Sequence, residues 1–121
     1  MSRASALTLA LLIAGCVTSQ EDRRKWVVEH YPPGQLTHAQ LRERMRGEPE
    51  QQWDRPDAGW VSDGRAGAGD RALAAESRSG AQVQHVERYL QPDPPFGLYL
   101  AWFFFDVDVR YVDADYQWQS D

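Results

Sequence analysis

The sequence predicts an α+β fold, with one short N-terminal helix and a small antiparallel sheet of three or four strands. Two observations carry this. A helix-initiation pattern, Leu36-Thr37-His38-Ala39-Gln40-Leu41, stands ahead of the strand-like segments. The C-terminal third holds runs rich in β-branched and aromatic residues, separated by connections dense in Pro, Gly and Asp.

Taken in order, residues 16–35 contain few core-forming side chains, carry mixed charge and end in Tyr31-Pro32-Pro33-Gly34, so they read as a tether leading to a turn. Trp26-Val27-Val28 is an apolar island within it, suited to packing on the domain or to lying at a bilayer surface. Thr37 then reads as an N-cap with Gln40 at the third helical position, and Leu36 and Leu41 form the accompanying hydrophobic staple. Leu41 and Met45 share a face, and Gly47-Glu48-Pro49 supplies a stop, which places a helix at about 38–46. A brief strand is expected around Trp53 and Trp60.

Residues 62–80 are rich in Gly, Ala, Ser, Arg and Asp, and Leu73 is their one large aliphatic side chain. They read as a flexible insert or a weak helix beginning near Asp70. Val83 to Leu90 reads as a strand, with helix the alternative on the spacing of Val83, Val86 and Leu90, and Leu98 to Phe105 reads as a second strand that is apolar on both faces. In the third, Val112, Ala114, Tyr116 and Trp118 alternate with Asp113, Asp115 and Gln117, as expected of one wet face. A turn near Asp106-Val107-Asp108 joins the last two strands as a hairpin. The whole of residues 36–121 is expected to form a single small domain.

The chain of 121 residues has 5 Trp, 5 Tyr and 4 Phe among 42% hydrophobic and 26% charged residues, an ordinary globular composition. A net charge of −5 argues against general affinity for nucleic acid. Residues 1–15 combine an early Arg3, an apolar run and terminal small residues, which is the pattern of an export signal peptide. Glu21, Asp22, Arg23, Arg24 and Lys25 arrive before the run reaches the ~20 apolar residues of a membrane-spanning helix.

Leu12-Ile13-Ala14-Gly15-Cys16 resembles the lipobox of bacterial lipoproteins. That resemblance implies cleavage before Cys16, a diacylglyceryl group on its thiol and a further acyl chain, of the palmitate type, on the new amino terminus. Two or three chains, at about 0.8 kcal/mol per buried methylene, make a firm anchor. The alternative is an ordinary cleaved leader in which Cys16 is one more small apolar residue. In such lipoproteins an Asp after the lipidated Cys tends to retain the protein in the inner membrane, and Val17 in that place implies the cell outer membrane, facing the periplasm. Residues 36–49, with Leu36-Thr37-His38-Ala39-Gln40-Leu41 and Gly47-Glu48-Pro49, are similar to the small outer-membrane assembly lipoproteins of the SmpA/OmlA type, in which a lipidated tether precedes such a helix and an antiparallel sheet.

Candidate chemistry is sparse. Asp106, Asp108, Asp113 and Asp115 are the densest carboxylates, and they lack the spacing of a dedicated calcium loop, so they read as a solvated strand face. His30, His38 and His85 form no His-x-x-x-His pair, and no metal ligand is assigned among them. Gly64 to Gly69 lacks the strand and Lys of a phosphate loop, and Ser77 and Ser79 sit in no nucleophile motif. Trp102, Phe103, Phe104, Phe105, Tyr116 and Trp118 are either core or a platform for a partner or glycan, with core the simpler reading. A sheet apolar on both faces with one helix to cover it implies a protein partner on the other face. The expectation is a lipid-anchored, non-catalytic binding or assembly module without a cofactor, held to the membrane through Cys16 and meeting an envelope protein. The alternative is a ligand-binding module for peptidoglycan, glycan or a metal.

Overall fold

A computed structural model describes residues 19–55, 67–93 and 97–118. The predicted leader, Cys16 and Trp60 lie outside the described residues. The elements run α1 (Gln20–His30), α2 (His38–Met45), β1 (Gln51–Asp54), α3 (Ala68–Ser79), β2 (His85–Asp93), β3 (Gly97–Phe105) and β4 (Tyr111–Trp118). The strands pair antiparallel in the order β1-β2-β3-β4, so the α+β class and the small antiparallel sheet are as expected. The helices differ from expectation, because three of them are present among the described residues and they are not confined to the N-terminal side.

One correction concerns the tether expected over residues 16–35. Residues 20–30 are helical, because Ser19 and Asp22 form a reciprocal capping box that satisfies two backbone N–H groups at the start of α1. The helix is then held to β4 by its polar side chains. The Gln20 amide donates to the Tyr116 carbonyl, the Arg23 guanidinium lies 3.8 Å from the centre of the Trp118 ring, and Val27 is fully buried. α2 begins where its sequence signature placed it, with Thr37 accepting from the Gln40 N–H and Gln40 reaching back to the Thr37 N–H. It ends at Met45, with Arg46, ahead of the expected Gly47, taking the left-handed cap position.

Of the two readings open for residues 62–80, flexible insert or weak helix, the described part bears out the helix. From Ala68 onward this segment is a regular helix, α3, that starts after Gly67 and ends at Gly80, whose positive φ of 75° closes it. Ala68, Ala72 and Ala75 share one face and are buried, so methyl groups alone let the helix lie close against the sheet.

Alternation along β3 divides the core. Tyr99, Ala101, Phe103 and Phe105 face Val27, Leu41 and Met45 of α1 and α2, whereas Leu100, Trp102 and Phe104 face the alanines of α3. The aromatic run is therefore core, and both sheet faces have helical cover. This removes the uncovered face from which a partner was expected. The face of β4 read as wet is also covered: Asp113 and Asp115 are buried, Asp113 against Arg78 (2.7 Å) and Arg24 (3.4 Å), and Asp115 against Arg71 (2.6 Å). Phe104 pairs with Asp113 and Phe105 with Tyr111, which leaves Val112 as the extra residue of a β-bulge.

The β3–β4 turn carries strain. Asp106 Oδ1 accepts from the N–H groups of Asp108 and Arg110, both at 2.9 Å, and the loop thus pinned places Val109 at φ 59°. A β-branched side chain disfavours that region by about 1–2 kcal/mol, whereas Asn enters it readily. Val109→Asn should raise the unfolding free energy by about 1 kcal/mol, measured by urea denaturation.

Candidate functional site

The main concentration of ionisable chemistry lies under the first turn of α2 at the Phe105 end of the sheet. Glu87 points inward from β2 and is fully buried, which requires its charge to be met by donors. Its Oε2 accepts from His38 Nε2 at 2.6 Å, His85 Nε2 at 2.7 Å and Arg42 Nη2 at 2.9 Å, and its Oε1 accepts from the Tyr89 hydroxyl at 2.7 Å. No buried side-chain nitrogen or oxygen among the described residues lacks a partner.

Each donor is placed by its element. His38 is the first residue of α2, and Arg42 follows one turn later on the same face. His85 and Glu87, two apart on β2, share a face, and so does Tyr89. Asp54, directly opposite His85 in the β1–β2 register, receives His85 Nδ1 at 2.7 Å. The imidazole of His85 is thus gripped between two carboxylates. The rings of His38 and His85 both rest against Phe105, with centroids 4.8 Å and 5.5 Å away.

These contacts set the titration. Burial works to raise the Glu87 carboxyl, but the hydrogen bonds from His85, Arg42, Tyr89 and His38 outweigh it and hold the group well below the usual carboxylate range. Burial works to lower His85, and its bonds to Glu87 and Asp54 outweigh that and raise it above 6.5. The raised histidine stabilises the fold fully below its unfolded value, and that contribution is lost as pH rises through the higher folded value. The depressed Glu87 stabilises above the ordinary carboxylate range, and that contribution is lost on acidification. The melting temperature should therefore decline as pH rises above about 6.5, and His85→Gln should flatten that decline.

Along the sequence His30, His38 and His85 are widely spaced. The structure brings His38 and His85 together with a ring separation of 6.1 Å, while His30 stays outside, stacked at 4.0 Å on Trp26. Glu87, Arg42 and Tyr89 were not singled out at all. The legible signal is His85-x-Glu87-x-Tyr89, three polar-capable side chains spaced to share one face of a strand.

Asp106 and Asp108, read from the sequence as part of a solvated face, are held by one cation. Both pair with Arg110 at 3.1 Å, as Asp113 and Asp115 pair with arginines elsewhere. A shallow groove of about 300 Å³ leads to the cluster between His38, Asp54, His85 and Val107. A second, of about 700 Å³, runs along Leu36, His38 and Val109. Val107 and Val109 stand exposed between them. No protein-family model, no curated protein and no solved structure matches this chain.

Proposed function

We propose that the protein is a lipid-anchored component of the bacterial cell envelope, held at the periplasmic face of the outer membrane through Cys16, whose domain is a non-catalytic binding or assembly module for an envelope protein. The observation that carries this reading is the opposition between the attachment end and the candidate site. The capping residue Ser19 follows Cys16 so closely that the connection spans at most about 11 Å. The first turn of α1 then lies beside Asp115 and Tyr116, whereas the residues after the helix reach the other end of β4, where the Gly34 N–H meets the Tyr111 carbonyl. Tyr116 pairs with Ala101 and His85 with Phe105, and the rise from Ala101 to Phe105 is about 13 Å at 3.3 Å per residue.

A domain tied down at Ser19 would turn the His38–His85 end and the Val107–Val109 turn toward the periplasm. The short connection also favours a partner at or near the same membrane, since the domain cannot wander far from its anchor. Among the described residues no helix is long and apolar enough to cross a membrane, so attachment in this reading falls to the lipid.

The reading is tested in intact cells by comparing wild type with Cys16→Ser, following acyl labelling and membrane fractionation, with a photo-crosslinking residue at position 107 or at position 21. Acylated wild type in the outer membrane, protein crosslinks from position 107 and lipid crosslinks from position 21 are expected. Equal fractionation of the two proteins with no acyl label would overturn it.

A further inference from the structure

We propose that His38, His85 and Glu87 form a binding site for one divalent transition-metal ion of the zinc class. The proposal rests on the cluster alone and does not depend on membrane anchoring. One ligand atom from each residue lies within 4.8 Å of the other two, and both Nε2 atoms converge on the same oxygen, Glu87 Oε2. Two imidazoles and a carboxylate with no thiolate suit Zn²⁺, Co²⁺, Ni²⁺ or Cu²⁺, and not Mg²⁺ or Ca²⁺, which call for oxygen donors throughout.

The surroundings are those of a ligand set and not of a simple ion pair. Asp54 accepts from His85 Nδ1 at 2.7 Å, the outer carboxylate contact that fixes a metal-binding imidazole with its Nε2 aimed at the ion. His38 enters from a different element, and its side chain keeps 29% of its exposure beside the groove of about 300 Å³, which supplies an entry path and room for a water ligand. The ion would sit between the two Nε2 atoms and Oε2. Bonds of about 2.0–2.2 Å would widen the present N···O separations by roughly half an ångström, with each Nε2 proton given up to solvent so that its lone pair faces the ion. Arg42 competes for Oε2, and Glu48 at 3.0 Å together with Gln52 at 3.5 Å offers its guanidinium a place to withdraw.

The experiment is calorimetric titration of Zn²⁺ into the full chain carrying Cys16→Ser, so that no thiol competes, with Co²⁺ as a visible-absorption probe of the coordination shell. One ion per chain is expected, with an intense Co²⁺ band of a four- or five-coordinate site. His38→Gln, at a partly exposed position that should keep the fold, is expected to weaken Zn²⁺ at least tenfold, and His30→Gln to leave it unchanged. Absence of uptake at millimolar Zn²⁺, or uptake that survives His38→Gln undiminished or is lost with His30→Gln, overturns the proposal.

Discussion

Glu87→Ala is expected to lower the unfolding free energy by about 3–5 kcal/mol, because it leaves a guanidinium, a phenol and two imidazoles facing a void that they now fill with one carboxylate. The magnitude follows from the geometry of loss. Glu87 is fully buried, so water cannot step in for it without opening the packing of α2 against β2. Arg42 would keep Glu48 as a partner, but the buried Tyr89 hydroxyl would lose its acceptor. The same substitution should remove part of the acid-induced loss of stability, since the depressed carboxyl is then gone. Urea denaturation at pH 7 and pH 4 measures both effects; a cost below about 1 kcal/mol would mean that the cluster relaxes without Glu87.

Trp102→Ala should cost about 3–5 kcal/mol, a substantial part of the 5–15 kcal/mol available to a domain of this size. Trp102 is 2% exposed, stacks on Trp53 at 5.3 Å and donates from Nε1 to Gln117 at 2.9 Å. The guanidinium groups of Arg71 and Arg88 lie 5.0 Å and 5.3 Å from its ring. Truncation therefore empties the layer between the sheet and α3, and the alanines of that helix are too short to collapse into the gap. Thermal melting followed by near-ultraviolet circular dichroism would report it. Retention of the native melt would move this ring out of the core.

The sheet and α2 were legible because their signals are local: a capping box with its staple, and apolar runs closed by turn residues. The helices flanking the sheet are less legible, α1 reading as a tether and α3 as either a flexible insert or a weak helix, for two different reasons. α1 buries only Val27 fully and is held by Gln20, Arg23 and Arg24, so its sequence resembles a solvated tether. α3 builds its buried face from Ala68, Ala72 and Ala75, whose spacing is helical but whose side chains resemble a low-complexity linker. With α1 read as a tether and α3 undecided, the sequence implies a half-covered sheet and a solvated face at Asp113 and Asp115. The His–Glu cluster was hidden by distance along the chain, since His38 meets Glu87 only once α2 has packed on β2.

Strand β2 continues past the four residues of β1, which pair no further than Arg88. The Arg88 carbonyl accepts from the Glu50 N–H on that side, so by alternation Leu90 and Pro92 turn their backbones to the same flank, where no strand among the described residues pairs with them. Pro92 has no N–H to give, which leaves Leu90 alone to offer one along the overhang. An intruding strand, including one from another copy of this chain, would find its ladder interrupted after a single rung, so a ring at one position discourages fibre-like stacking that the neighbouring leucines would otherwise invite.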